Sequence, residues 1–197
     1  MREISPAIGL SVDDYMDRVG YPFRPQVEEI RRLKRAGLRS CPSSSLIDQS
    51  AVLTTLHRAL LLDKIAALVD ENYSGRADMC LQFADLLNRS LTLLNLPSRT
   101  VVGIAIYFNS MGHEIHRWRH AWVRVGDEVI DGNVDSTPEN PTVPSAISVR
   151  PYWGPISSIP RDRRLREATD DALPDDGDVD SIWWPELKSW LETDFLK

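Results

Sequence analysis

The strongest constraint on the fold is a run of strand-forming sequence between residues 99 and 133. The stretch "RTVVGIAIYF" is almost continuous in β-branched and aromatic side chains, which is typical of a strand buried on both faces. After the short loop "NSMGHE", the stretches "IHRWRHAWVRV" and "EVIDGNV" are separated only by "GD", a pair that favours a tight turn. The pattern therefore predicts a central strand followed by an antiparallel hairpin.

Helical patterns precede these strands. "RPQVEEIRRLKRAGL" places Pro25 in a first helical turn and Gly37 at a helix end, and "SVDDYMDRV" begins with a candidate cap at Ser11. Residues 46 to 69 form a long apolar-rich stretch, which is either one long helix or two short ones, and we favour two. The core positions that we expect there are Val52, Leu56, Leu60 and Leu68.

A further helix leads directly into the predicted sheet. In "CLQFADLLNRSLTLLNLPSR", residues suited to a core recur at helical spacing until Pro97 ends the run; they are Cys80, Ala84, Leu87, Leu91 and Leu94. Helices first, and then one helix that feeds an antiparallel β-sheet, is the element order of an α+β fold.

Charge and composition argue against several kinds of partner. The formal net charge of -6 is unfavourable for binding nucleic acid or an anionic membrane, because both reward a basic surface. No segment approaches the roughly 18 apolar residues that span a bilayer, and the N terminus lacks the apolar run of a signal peptide. The two cysteines, Cys41 and Cys80, are too few for a disulfide framework, so we expect reduced thiols and a cytoplasmic location.

The predicted hairpin brings a histidine next to an aspartate. If residues 126–127 form the turn, alternation along the strands places four side chains on one face: His120, Trp122, Asp131 and Asn133. Asp131 is then diagonal to His120, about 7 Å away between backbones and within hydrogen-bonding reach of the ring. The same face carries Trp122 and Val129, so we expect it to be covered. A buried carboxylate needs a partner, and His120 is a suitable one.

Cys80 is the candidate nucleophile for this pair. It falls at the start of the helix before the sheet, where amide groups and the helix dipole stabilise a thiolate. A neighbouring imidazole stabilises it further. Asp78 is placed to cap the same helix, although its charge would oppose a low thiol pKa. A lone cysteine is more often a small buried apolar side chain, so the candidacy rests on the order of cysteine, histidine and aspartate along the chain.

The stretch from Cys80 to Asn133 resembles the core of the transglutaminase-like superfamily, whose catalytic geometry is similar to that of papain-type peptidases. "CLQFADLLNRSLTLLNLPSRTVVG" is similar to the nucleophile helix, the turn with Pro and Arg, and the strand ending in Gly. "HAWVRV" looks like the histidine strand and "EVID" like the aspartate strand. The resemblance implies a transglutaminase-like, papain-like core with Cys80 as nucleophile, His120 as base and later acid, and Asp131 as the residue that orients the imidazole.

This resemblance implies acyl transfer or hydrolysis at an amide bond through a thioester on Cys80, with no cofactor and no metal. The substrate would be a peptide, a protein or a small amide, and the acceptor either water or an amine. The backbone N–H of Cys80 is the expected oxyanion donor, with Gln49 and Gln82 as side-chain candidates. Asp131→Asn is expected to impair catalysis more than stability. Several tryptophans could shield the site: Trp118, Trp122, Trp153 and those near the C terminus.

Two other interpretations stay open. "HEIHRWRH" clusters His113, His116 and His120 as a zinc-site candidate, but the spacing is not H-E-x-x-H, and on a strand His113 would face away from the other two. The second alternative is a catalytically inactive binding module that retains the transglutaminase-like fold.

We expect a single domain over residues 1–197. Residues 1–70 form its helical N-terminal part, residues 71–136 its catalytic core, and residues 137–197 a Pro-rich and acidic tail. The prolines between 137 and 160 argue against regular elements there. "SIWWPELKSWLETDF" predicts a closing helix whose tryptophans dock on the body.

Overall fold

Most α-helices precede the main run of strands in the computed structural model, which describes residues 24–71, 75–140, 143–144, 147–168, 177 and 179–195, without the side chains of Arg24 and Gln26. The α-helices are α1 (Arg24–Arg35), α2 (Thr55–Val69), α3 (Cys80–Leu93) and α4 (Trp184–Trp190). The strands are β1 (Ile47–Asp48), β2 (Ser98–Phe108), β3 (Glu114–Val125), β4 (Glu128–Asp131), β5 (Tyr152–Pro155) and β6 (Arg163–Glu167). The helix predicted after Ser11 lies outside the described residues. This is an α+β fold.

One six-stranded sheet organises the chain in the order β1-β5-β4-β3-β2-β6. All neighbouring strands are antiparallel except β1 and β5, so the sheet is mixed rather than purely antiparallel as predicted. Strand β2 pairs with β3 on one side and β6 on the other, which confirms its prediction as a central strand. Val125 pairs with Glu128 across a two-residue turn, which confirms the predicted hairpin and its register.

The two faces of the sheet have different coverings. Helix α3 packs on the helix face, which we define by Val102, Ala121, Val123 and Ile130, and α2 and α4 pack against α3 in the same hydrophobic core. The opposite face, here called the far face, carries His120 and Trp122 and is partly covered by Val134 and by residues 143–149 that the structure describes. Each strand contributes alternate residues to the two faces.

Helices α1 and α3 agree with their sequence patterns, whereas the prediction for residues 46–69 was wrong. Instead of two short helices, this stretch holds strand β1 and then α2, which is capped at Thr54 by a hydrogen bond from the His57 amide. Leu56 and Leu60, two of the predicted core residues, are exposed. Because apolar residues of α2 occur on every side of the helix, its sequence does not indicate which side faces the core.

The tail is more ordered than its prolines suggested. Strand β5 lies within residues 137–160, so the prediction of irregular chain was wrong there, and β6 extends the sheet on its other edge. The closing helix is confirmed as α4, flanked by π-helical turns, with Trp183 fully buried against the helical layer. Among the described residues, none of the helices is both long and apolar enough to cross a membrane.

Candidate active site

His120 and Asp131 form a buried hydrogen-bonded pair on the far face. His120 Nε2 lies 2.8 Å from Oδ1 of Asp131, and both side chains are excluded from solvent. The contact follows from the hairpin register, because β4 ends at Asp131 and the alternation of β3 turns His120 to the same face. Asn133, the other polar residue of this stretch, instead donates to the Arg76 carbonyl at 2.8 Å. The carboxylate is therefore the partner that fixes the ring.

Arg163 holds the second oxygen of the same carboxylate. Its Nη1 donates to Asp131 Oδ2 at 2.7 Å, and its Nη2 donates to the Arg150 carbonyl at 2.6 Å. The Arg163 side chain is fully buried, and a buried carboxylate bound by both an arginine and a histidine can stay ionised. Burial would raise the pKa of Asp131, but the charges and hydrogen bonds of His120 and Arg163 outweigh it, so the pKa lies below its ordinary value.

Cys80 reaches His120 where two strands separate. The ladder between β3 and β4 runs only from Val125 to Val123, and Asp131 already pairs with Tyr152 of β5. Helix α3 starts against this gap, so the Ala121 amide hydrogen-bonds the Cys80 sulfur and the His120 ring contacts it. The helix on one face and the imidazole on the other therefore meet at the gap.

Nδ1 of His120 is the ring nitrogen available to the thiol, since Nε2 is engaged by Asp131. Nδ1 is buried and has no aligned hydrogen-bond partner among the described residues, while the imidazole as a whole still interacts with Cys80. The ring therefore has one nitrogen held in place by Asp131 and one left for the thiol. This is the division of roles that a thiol–imidazole–carboxylate triad requires.

Electrostatics at the site favour a thiolate–imidazolium pair. Burial would raise the pKa of Cys80, but the polar contact and charge of His120, together with the Ala121 amide, lower it below the ordinary value. Burial would likewise lower the pKa of His120. The electrostatic effects of Tyr107 and Asp131, the hydrogen bond to Asp131 and the polar contact with Cys80 raise it well above its ordinary value. Both shifts favour the charged forms.

Aromatic residues enclose the imidazole. The Trp118 ring stacks on His120 with centroids 5.9 Å apart and planes inclined by 13°. Trp122 follows on the other side at 6.3 Å, and Trp118 donates to the Tyr107 hydroxyl at 3.3 Å. Trp118 and Trp122 therefore cover the ring as expected. Trp153 instead belongs to the core of the helix face, as do the tryptophans of the closing helix.

Ion pairs tie the chain before Cys80 to the chain after Asp131. Arg76 is fully buried and forms a two-pronged contact with Asp135, with distances of 2.6 and 2.7 Å. Asp78 accepts a hydrogen bond from Asn140 and does not cap α3, whose capping position is Met79. The predicted capping role of Asp78 was wrong. These contacts hold the first turn of α3, and with it the thiol, at the end of β4.

Some predicted features are not brought to the thiol. Gln49 lies just beyond β1, with β5 and β4 between that strand and β3. Gln82 is two residues along α3 from Cys80, which turns it about 200° around the helix axis. The Cys80 amide is the remaining predicted oxyanion donor and lies in the first turn, where amides lack intrahelical acceptors. Within the described residues no three potential ligands converge as a metal site, and Trp118 lies between the rings of His116 and His120.

A close approach of strands behind the imidazole depends on Gly103. This residue pairs with His120 on β3 and with Glu167 on β6. A Cβ at this position would lie 2.1 Å from the Arg166 carbonyl oxygen and 2.7 Å from the Trp122 ring. Glycine is therefore needed for β6 to deliver Arg163 to the site.

Two residues of the site were missed by sequence reasoning. Arg163 lies in the basic run of residues 161–166, which by itself indicates a solvated strand. Its signal was alternation, because Arg163, Leu165 and Glu167 share the far face. Tyr107 was missed because a tyrosine in an apolar strand indicates packing only. A cavity of about 440 Å³ adjoins Arg163 and Trp122 on the far face, but Cys80 does not line it.

Comparisons with known proteins leave the family open. No family model matches the chain, and no curated protein matches it. A solved structure from structural genomics, APC5867, aligns with 14% sequence identity and a TM-score of 0.48, over 62% of this chain and 69% of its own. A likeness of that extent identifies neither a family nor a function.

Proposed function

We propose that this protein is a transglutaminase-like cysteine enzyme that transfers or hydrolyses an acyl group at an amide bond through a thioester on Cys80. The observation that carries the proposal is the contact of the Cys80 sulfur with an imidazole whose other nitrogen is held 2.8 Å from a buried carboxylate. A purely structural cysteine has no need of an ionised partner in a covered position.

The reaction would follow from the protonation states. The Cys80 thiolate attacks the carbonyl carbon and forms a C–S bond, while the carbonyl oxygen takes the negative charge near the first-turn amides of α3. The intermediate collapses as the C–N bond breaks, and His120 gives its Nδ1 proton to the leaving amine. Water or an amine then attacks the thioester, His120 removes its proton, and C–S cleavage restores the thiolate. Asp131 and Arg163 stay ionised throughout.

A small activated ester tests the proposal without knowledge of the natural substrate. With p-nitrophenyl acetate, we expect release of nitrophenol and an acetyl group on Cys80, located by peptide mapping. Cys80→Ala should abolish both, and His120→Ala should slow acylation by about 100-fold, the ordinary contribution of a general base. Adding an amine during turnover measures how the thioester divides between water and amine.

Cys41→Ser is the matched control, because Cys41 is also reduced and more exposed. It should acylate Cys80 at the rate of the unmodified protein. Acetylation of Cys41 in preference to Cys80, or unchanged acylation in His120→Ala, would contradict the proposal and favour a binding module with an inert cysteine.

A further inference from the structure

Four arginines lie on the helix face of the sheet, beyond the N-terminal end of α3. They form two rows across the strands. Arg119 and Arg166 flank Ile104, and Arg117 and Arg164 flank Ile106. We call this group the arginine ledge: Arg117, Arg119, Arg164 and Arg166. All four side chains are exposed, as is Ile104 between the first pair.

The position of α3 places the ledge in front of the thiol. Along β2, the Ser98 hydroxyl donates a hydrogen bond to the Asn88 side chain of the helix, and the Thr100 hydroxyl donates one to the Ala84 carbonyl at 3.3 Å. The Cys80 sulfur, at the helix start, meets Ala121, which pairs with Val102. The helix therefore covers β2 as far as residue 102 and leaves residues 104 and 106 with their arginine partners ahead of its N terminus.

Arg119 is the ledge arginine nearest to the nucleophile along the strand. Arg119 precedes Ala121 by two residues on the same face, a step of about 7 Å along the strand. Arg166 lies two strands further across, about 10 Å from Arg119 between backbones. If the carbonyl of a substrate lies at Cys80, the neighbouring part of that substrate therefore lies over guanidinium groups of the ledge.

One residue of the chain demonstrates what the ledge does to a carboxylate. Glu114, at the start of β3, accepts hydrogen bonds of 2.6 and 2.7 Å from Arg117. The pKa of Glu114 lies below its ordinary value because of the hydrogen bond from Arg117, with further help from the charges of Arg117 and Arg166. The ledge thus favours an anionic oxygen at its outer end, at the start of β3.

We infer that the arginine ledge binds an acidic side chain or terminal carboxylate of the acyl donor, so that the enzyme prefers anionic peptide-like substrates. This inference rests on the proposed function, because it concerns the substrate of the same thiol. The net charge of -6 disfavours a long polyanion such as nucleic acid, whose many phosphates would meet the rest of the surface. A single carboxylate within a Debye length of about 8–10 Å responds to the local arginines instead.

Matched acyl donors test the charge preference. We would compare p-nitrophenyl esters of N-acetyl-Asp-Gly, its neutral isostere N-acetyl-Asn-Gly and the cationic N-acetyl-Lys-Gly. The expected order of Cys80 acylation rates is acidic, then amide, then basic, with about fivefold per step at low ionic strength. The preference should diminish as sodium chloride is added, since salt screens exposed charges.

Arginine variants locate the effect. Arg119→Gln and Arg166→Gln should each lower the ratio of the acidic to the amide ester rate, which is measured within one variant and therefore does not depend on the reactivity of its thiol. Arg99→Gln is the matched control, because Arg99 is equally a strand arginine but pairs with Glu167 on the far face. It should keep the full preference.

The outcomes separate the two proposals. If all three esters acylate Cys80 at equal rates, the ledge does not select substrate, and the proposed function stands. If none acylates Cys80, both proposals fail together. If a single-stranded oligonucleotide protects Cys80 from iodoacetamide and the acidic ester has no advantage, the ledge serves nucleic acid and the inference is overturned.

Discussion

Arg163 and Asp131 form an ion pair of 2.7 Å in which neither side chain is exposed to solvent. The pair joins β6, at one edge of the sheet, to β4, which lies three places away in the strand order. Because Asp131 also holds His120, the electrostatic state of the imidazole depends on an arginine that does not itself contact the thiol. Arg163 is a positioning residue.

Arg163→Met should lower the free energy of unfolding by about 3–5 kcal/mol, because it removes one of the two cationic partners of a buried carboxylate. Urea denaturation measures the change. Arg161→Met, two residues earlier and exposed, should be nearly neutral.

The sequence alone led us to expect that Asp131→Asn impairs catalysis more than stability. The ion pair now predicts a stability cost as well, and the double variant should cost less than the sum of the two single ones. Strict additivity would show that the pair is not coupled.

Cys80 should react with iodoacetamide near neutral pH faster than Cys41. The pKa of Cys80 lies below the ordinary value, whereas burial and the charge of Asp63 raise that of Cys41. Mass spectrometry of peptides from partly alkylated protein gives both rates in one sample. His120→Ala should slow labelling of Cys80 and leave that of Cys41 unchanged. Equal rates at the two cysteines would remove the case for an activated thiol.

The two ionisations should bracket a broad pH range of thiolate–imidazolium. The lowered pKa of Cys80 means that thiolate absorbance appears below the ordinary thiol pKa of about 8.5, and the raised pKa of His120 means that the imidazolium persists above about 6.5. Difference absorbance against Cys80→Ser follows the thiolate, and NMR of labelled histidine follows the ring.

The same titration tests the coupling of the two groups. Removing the sulfur in Cys80→Ala should lower the pKa of His120, because one of the interactions that favour the charged ring is lost. The stability that the raised His120 pKa contributes is present at low pH and is lost as pH rises through the folded-state pKa. A histidine that titrates identically in both proteins would contradict a thiol–imidazole contact.

Gly103→Ala should be strongly destabilising for its size. The added Cβ would meet the Arg166 carbonyl oxygen, a backbone atom that moves only if β6 moves. We expect a loss of about 1–3 kcal/mol, typical of an overpacked site, together with slower alkylation of Cys80 as Arg163 is displaced. Gly177→Ala, where the new Cβ would meet no atom of the described residues within 4 Å, is the control in the same thermal denaturation series. A neutral Gly103→Ala would mean that the two strands separate freely.

The local parts of the site could be predicted from sequence, and the long-range parts could not. The contact between His120 and Asp131 follows from a two-residue turn and strand alternation, both readable over a dozen residues. Arg163 reaches the same carboxylate from 32 residues further along the chain. No local pattern specifies that β6 pairs with β2, so that contact is a property of the assembled sheet.

The helices show the same limit. In α3, apolar residues fall on one side, and the prediction was correct from Cys80 to Leu93. In α2, apolar residues occur on every side, so Leu56 and Leu60 could not be distinguished from Leu61 and Leu62, which are buried. Which of these leucines becomes buried depends on the surface against which the helix packs, and that surface forms only when the strands have paired.

The place of β6 in the chain bears on how the protein matures. A ribosome releases Cys80, His120 and Asp131 well before Arg163, and folding generally begins before synthesis ends. Until β6 docks, Asp131 lacks Arg163, one of the two groups that favour its ionised form in the buried site. The His120 ring then has a less strongly ionised neighbour. Order of synthesis thus delays full ionisation of this group of residues, since an incomplete chain contains the Cys80 thiol and the His120 ring before it contains Arg163.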